Sequence, residues 1–151
     1  MKNFINLTYK EKLMVLDWRN NIRTRINMYS LDKISIENHL KFIDSLINDK
    51  ENKYFLVENV GVIYFNNIKN NKAEIGLYSN PKKYAQGNFL MEKILTFKYK
   101  YLYLKVFKDN EKAIKLYLKY NFILVKEELI NNKKILYMEL ITESAATSLT
   151  V

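Results

Sequence analysis

Three groups of residues in this chain have the types and spacing to do chemistry. The stretch YSNPKKYAQGNFLMEKIL, residues 78–95, holds the single proline and one of only three glycines, then runs into apolar sequence. Gly87 stands where a loop enters a helix. The first amides of a helix lack intrahelical partners, and the helix dipole adds roughly half a positive charge there. Such a junction can cradle a phosphate, or it can be a plain loop glycine. Further on, in DNEKAIKLYLKYNF, Asn110, Ala113 and Tyr117 fall at i, i+3 and i+7. A polar capping residue and a phenol therefore share one helical face; Tyr117 is either a proton donor or a packed aromatic. Between these, alternation over residues 73–78 puts Glu74, Gly76 and Tyr78 on one strand face and Ala73, Ile75 and Leu77 on the other. Glu74 is there a candidate base or an exposed strand carboxylate.

The N-terminal third supplies the remaining polar candidates. The sole histidine, His39, lies three residues after Ile36 and four before Ile43, beside an apolar stripe, where it is either a core-edge residue or a ligand. Arg19 offers a forked, permanently charged donor suited to phosphate. Asn66 and Asn67 provide donors and acceptors, or strand-end turn chemistry.

These residues need elements to hold them, and the patterning predicts an alternating order. KNFINL reads as a short strand. Thr8 and Glu11 form a capping box that opens a helix through Leu13, Met14, Leu16 and Trp18. NNIRTRINMYS reads as a short helix or irregular arm. Ser35 caps a third helix whose apolar stripe is Ile36, Leu40, Ile43 and Ile47. KYFLVENVGVIYFNNI reads as a hairpin turning near Glu58-Asn59, and KAEIGLYS as another strand. After the glycine loop come a helix, the strand YLYLKVF, a helix capped by Asp109 or Asn110, and an antiparallel pair, FILVKEE and KILYMEL. This predicts an α/β (α+β) domain over residues 1–143 with a mixed, mostly antiparallel sheet, and a poorly ordered tail over 144–151.

Composition bounds the partners. The 151 residues include no cysteine, which excludes disulfides and thiolate metal sites and fits a reducing, cytoplasmic setting. No metal site is expected. Neither a bilayer-spanning run nor a signal-peptide core is present. The net charge of +9 fits a polyanionic ligand or a compositional bias toward lysine. The basic residues are spread without a dense tract, which argues against nucleic acid as the partner.

Taken together, these residues resemble the GCN5-related N-acetyltransferase (GNAT) superfamily. Its phosphate-binding pattern, Arg/Gln-x-x-Gly-x-Gly/Ala, falls on residues 84–89, where the central Gly87 is kept. Its later Asn-x-x-Ala-x-x-x-Tyr pattern falls on Asn110, Ala113 and Tyr117. The resemblance spans about residues 2–141 and implies helices on both faces of a sheet with splayed central strands. It implies acetyl-CoA as cosubstrate, bound through Leu77, Tyr78, Tyr84, Ala85, Gln86, Gly87, Asn88 and Asn110, chiefly by backbone amides of 84–88, with Gly87 letting backbone approach the pyrophosphate and Gly76 leaving space beside the thioester. Tyr117 would be the general acid and Glu74 the base for direct attack of an amine on the thioester.

VLDWRNNIRTRINMYS and the following His39 are similar to one branch of that superfamily, the nucleotide-sugar N-acetyltransferases of pseudaminic acid biosynthesis. Within that resemblance Arg19 and His39 contact the nucleotide diphosphate, Met28 and Tyr29 pack on the base, and Asn66 and Asn67 meet the uracil edge. The partner is then a small-molecule UDP-sugar, with neither nucleic acid nor membrane, and the protein a monomer or homodimer. An N-terminal amine of a ribosomal protein is the alternative acceptor, since Trp-Arg-Asn segments occur in that branch too.

Overall fold

The computed structural model describes residues 1–142, so the tail expected at 144–151 lies outside the described residues. Seven strands form one sheet: β1 (Lys2–Asn3), β2 (Lys53–Val57), β3 (Gly61–Lys69), β4 (Lys72–Ser79), β5 (Tyr101–Phe107), β6 (Ile123–Ile130) and β7 (Lys133–Ile141), in the spatial order β1-β2-β3-β4-β5-β7-β6. Every neighbouring pair is antiparallel except β4 and β5, which run parallel. Five helices accompany the sheet: α1 (Tyr9–Asn20), α2 (Ile22–Arg25), α3 (Ile36–Ser45), α4 (Gly87–Leu95) and α5 (Glu111–Lys119). Among the described residues no helix is long and apolar enough to cross a membrane.

Strand alternation sends side chains to two cores. Leu56, Val62 and Tyr78 face one way and are covered by Val15 and Trp18 of α1 and Ile43 of α3. Val57, Ile63, Phe65, Ala73 and Ile75 face the other way, under Leu90, Met91 and Ile94 of α4 and Tyr117 of α5. Helices thus cover both faces, as a half-apolar strand on each side requires.

The feature that shapes the site is the β4–β5 pair. Its register covers only Lys72↔Tyr101, Ala73↔Leu102 and Glu74↔Tyr103, after which the strands separate although both continue. The central strands are splayed, as the resemblance implied.

The helix starts follow the sequence closely. Thr8 Oγ1 accepts the Glu11 amide and Glu11 returns to the Thr8 amide, completing the capping box. Ser35 caps α3, and of the two candidates for α5 it is Asn110 that caps, accepting the Ala113 amide.

Two expectations are corrected. KNFINL is not a continuous strand: the Asn3 side chain accepts the Ile5 amide and turns Phe4–Asn6 into a 3₁₀ turn, with Phe4 buried. The buried stripe of α3 is His39, Ile43 and Leu46, whereas Ile36 and Ile47 are exposed. Side chains lean toward the helix N-terminus, so the core contact is offset from the stripe that spacing alone selects. The register shift of β3–β4 lies between Asn66 and Lys69, and at Gly76 the pairing with Tyr64 is regular.

His39 ties α3 to α1, since its Nε2 lies 2.8 Å from the Lys12 carbonyl oxygen. The ring is 4% exposed, and burial pushes its pKa below the ordinary imidazole value. The folded protein therefore resists protonation while the unfolded chain takes a proton near the usual value. The stability this contact contributes is present above about pH 6.5 and is lost as the pH falls below it. Thermal unfolding followed from pH 7.5 to 5.5 should show a falling Tm, and His39→Gln should flatten that dependence.

Candidate active site

The gap between β4 and β5 opens into a cavity of about 910 Å³. It is lined from both faces of the sheet: Arg19, His39, Tyr54, Tyr64, Asn66, Glu74 and Tyr78 from the α1/α3 side, and Leu77, Gly87, Asn110, Leu116 and Tyr117 from the α4/α5 side. One cavity therefore passes through the sheet where its ladder fails. Two reactants placed on opposite faces can meet there.

On the α4 side the cavity floor is the loop leading into the helix. Asn80 is buried; its Nδ2 donates to the Asn59 carbonyl at 3.1 Å and its Oδ1 accepts the Lys82 amide at 3.0 Å. That pins the loop to the β2–β3 turn. Ala85 takes the left-handed conformation with φ 56°, so the residue that bends the chain here is an alanine. Gln86 precedes α4 without a side-chain cap bond; it donates to the Tyr84 carbonyl instead. The first-turn amides thus have no side-chain acceptor and remain open to an anion. Lys83, Lys112 and Lys115 line the same cavity.

Gly87 also meets a packing demand. It has no positive φ, and a Cβ placed there would meet Leu116 Cδ2 of α5 at 2.9 Å. Gly87 lets α4 and α5 approach; the loop amides keep their exposure for the separate reason that nothing caps them. Asn88 is likewise committed to α5: its Oδ1 accepts Lys119 Nζ at 3.0 Å and its carbonyl accepts the Tyr120 hydroxyl. Tyr84 is exposed and carries the Arg23 guanidinium 4.6 Å above its ring.

Tyr117 is 8% exposed, and burial alone pushes its pKa up to about 12. The phenol is fully protonated at physiological pH and able to donate. It is a weaker acid than the free phenol, and each pKa unit above the acceptor thiolate costs about 1.4 kcal/mol. Closeness to the departing sulfur has to offset that. Glu74 lies across the gap on the opposite face. Its Oε1 accepts Asn67 Nδ2 at 3.1 Å.

The N-terminal candidates divide. Arg19 Nη1 is the one fully buried polar side-chain atom left without a hydrogen bond among the described residues. A buried, unpaired guanidinium nitrogen is costly unless something arrives to accept its proton. His39 reaches the cavity as well. Nε2 must carry the hydrogen that the Lys12 carbonyl accepts, so a neutral ring presents Nδ1 as an acceptor. It suits a hydroxyl or amine better than a phosphate oxygen.

Met28 packs into the core beneath α1, and Tyr29 stands edge-on to Phe107 with centroids 5.8 Å apart, the arm bridging toward β5. Asn66 lines the cavity and donates to the Tyr54 hydroxyl at 3.2 Å. Asn67 does not: its φ of 53° at the register shift turns it out of the main cavity and onto Glu74.

Spacing missed Tyr54 and Tyr64. They pair across the β2–β3 hairpin and stack with centroids 4.8 Å apart and planes 14° from parallel. The turn at Glu58-Asn59 was the available signal, because it sets the register that brings them together.

No protein-family model matches the chain. Two strains of Campylobacter jejuni carry an acetyltransferase PseH that is 37% identical to it over 138 residues, covering 85% of this chain and 87% of the relative. The crystal structure of Campylobacter jejuni N-acetyltransferase PseH in complex with acetyl coenzyme A superposes with a TM-score of 0.76 at 31% identity, covering 94% of this chain and 97% of that one. The spermidine N-acetyltransferase of Vibrio cholerae, bound to CoA and spermine, has a TM-score of 0.83 at 18% identity, covering 93% and 95%, a likeness of fold alone. With the first relatives at that identity and coverage, this chain belongs to the PseH family of N-acetyltransferases, on the GNAT fold.

Proposed function

We propose that the enzyme transfers the acetyl group of acetyl-CoA to the 4-amine of UDP-4-amino-4,6-dideoxy-N-acetyl-β-L-altrosamine, a step of pseudaminic acid biosynthesis for flagellin glycosylation. The observation that carries the acceptor side is Arg19, which lines the cavity and whose buried Nη1 has no hydrogen-bond partner among the described residues. An acceptor bearing a diphosphate satisfies that donor; a peptide N-terminus brings no such anion. The name and bound ligand of the PseH relative support the donor side.

The residues fit two anionic reactants. Acetyl-CoA enters from the α4/α5 face, its pyrophosphate taken by the uncapped amides around 85–88, its pantetheine arm between the parted strands beside Leu77. The UDP-sugar enters from the α1/α3 face, its diphosphate on Arg19. Asn66 and the arm carrying Met28 and Tyr29 are left for the base. His39 Nδ1 accepts from a hydroxyl.

In the reaction the amine nitrogen bonds the acetyl carbon and the carbon–sulfur bond breaks. Tyr117 gives its proton to the leaving sulfur, and Glu74 is the final acceptor of the proton the amine loses. Holding both reactants in one gap supplies the orientation this attack needs.

Removing Arg19 isolates the acceptor half. In a thermal-shift panel, acetyl-CoA and UDP should each raise the Tm of the wild type by mass action. Arg19→Ala should keep the acetyl-CoA shift and weaken UDP binding roughly 10- to 100-fold, the worth of a charged hydrogen bond. An unchanged UDP affinity refutes the assignment.

Tyr117→Phe should lower kcat roughly 100-fold with acetyl-CoA affinity retained. Because burial raises its pKa, Tyr117 stays protonated through ordinary alkaline pH. The kcat profile of the wild type should accordingly show no basic limb from this residue below about pH 10. A steep loss at lower pH that vanishes in Tyr117→Phe contradicts this.

A further inference from the structure

Tyr64 occupies a place that the acid and base described above leave unexplained. It is the cross-strand partner of Gly76, two residues beyond Glu74 on the same face of β4. A Cβ built on Gly76 would lie 1.9 Å from Tyr64 Cζ and 2.1 Å from its hydroxyl oxygen. The phenol therefore leans across β4 with its hydroxyl end over Gly76, at the strand edge that β5 has just left, since the last β4–β5 pair is Glu74↔Tyr103. The ring is held there by the Tyr54 stack, and Tyr54 in turn by Asn66. Tyr64 lines the cavity, and its hydroxyl forms no hydrogen bond with the described residues.

Burial first, and then the neighbouring Tyr54, Tyr117, Tyr78 and Glu74, disfavour a phenolate at Tyr64, so its hydroxyl stays protonated. Asn67 occupies Oε1 of Glu74, and Glu74 itself lines the cavity.

We propose that Tyr64 is a catalytic residue of the acyl transfer, its hydroxyl touching the attacking amine and relaying the amine's proton to Glu74, with Gly76 kept bare to admit it. This rests on the reaction and on the base assigned above. As the nitrogen bonds the acetyl carbon and the carbon–sulfur bond breaks, an amine proton passes to the Tyr64 oxygen while Tyr64's own proton passes through one cavity water to Oε2 of Glu74. The sulfur takes its proton from Tyr117. Glu74 then releases its proton to water, and Tyr117 regains one from water. Tyr64 is neutral before and after, so no phenolate is stored in a buried site. The requirement for glycine at position 76 is set by the phenol, in place of the space beside the thioester expected from the sequence.

Tyr64→Phe keeps the ring, the stack and the contact over Gly76 and removes one oxygen. Turnover of acetyl-CoA with the UDP-aminosugar should fall at least roughly tenfold in kcat, the low end of the benefit of a positioned proton carrier. Tm and the acetyl-CoA thermal shift should stay at their wild-type values. A second arm tests the pairing with Gly76. Gly76→Ala in the wild-type background should lower turnover as Tyr64→Phe does, whereas in a Tyr64→Ala background it should leave the acetyl-CoA shift unchanged. A wild type that does not acetylate the aminosugar overturns the reaction itself. An active wild type with full kcat in Tyr64→Phe overturns the relay alone. Loss of acetyl-CoA binding by Gly76→Ala in both backgrounds overturns the pairing and returns that glycine to the thioester.

Discussion

Parallel strands β4 and β5 share three register pairs and then part, so the backbone groups of Ile75–Ser79 that face β5, and those of Leu104–Phe107 that face β4, cannot complete a ladder with each other. Buried backbone donors and acceptors are rarely left unpaired, and a gap of this kind in the middle of a sheet is tolerated only where something else meets them. The cavity at this gap is lined both by the helix loop at 84–88 and by residues of the α1/α3 face. Both reactants, and the acid and base assigned to them, depend on that failure of pairing.

The glycines illustrate how a backbone requirement and a packing requirement can be confused. None of the three adopts a positive φ, and at Gly76 and Gly87 the space a side chain would take belongs to another side chain, Tyr64 and Leu116 respectively. The left-handed residue in the helix loop is Ala85. What opens the loop to an anion is the absence of a cap at Gln86 combined with the anchoring of Asn80.

Electrostatics sort the two sides of the gap. Lysines line the donor side, exposed to solvent, where they attract phosphate at modest strength because water screens them. On the α1 face Arg19 instead has one nitrogen buried and without a hydrogen bond among the described residues. A donor removed from water discriminates between ligands more sharply than an exposed cation, because leaving it unmet carries the full desolvation penalty. Tyr54, Tyr64, Tyr78 and Tyr117 all have pKa values raised first by burial, so these four phenols stay protonated.

Local chemistry written in the sequence was enough for the elements and for several site residues. Capping side chains at Thr8, Ser35 and Asn110 fix helix starts by bonds within three residues, and alternation over 73–78 correctly separates Glu74 and Tyr78 from Ile75 and Leu77, because both depend only on neighbours along the chain. The matched positions Gly87, Asn110 and Tyr117 do line one cavity. Which residues meet across that cavity was decided by the tertiary structure. The turn of Asn67 onto Glu74, the single donor direction left to His39, the unpaired nitrogen of Arg19 and the placement of Tyr64 over Gly76 each depend on partners between 7 and more than 20 positions away, or on the lack of one. Spacing sets which residues share a face. Strand register and the parting of β4 from β5 set which faces meet, and those are properties of long-range pairing that no local pattern contains.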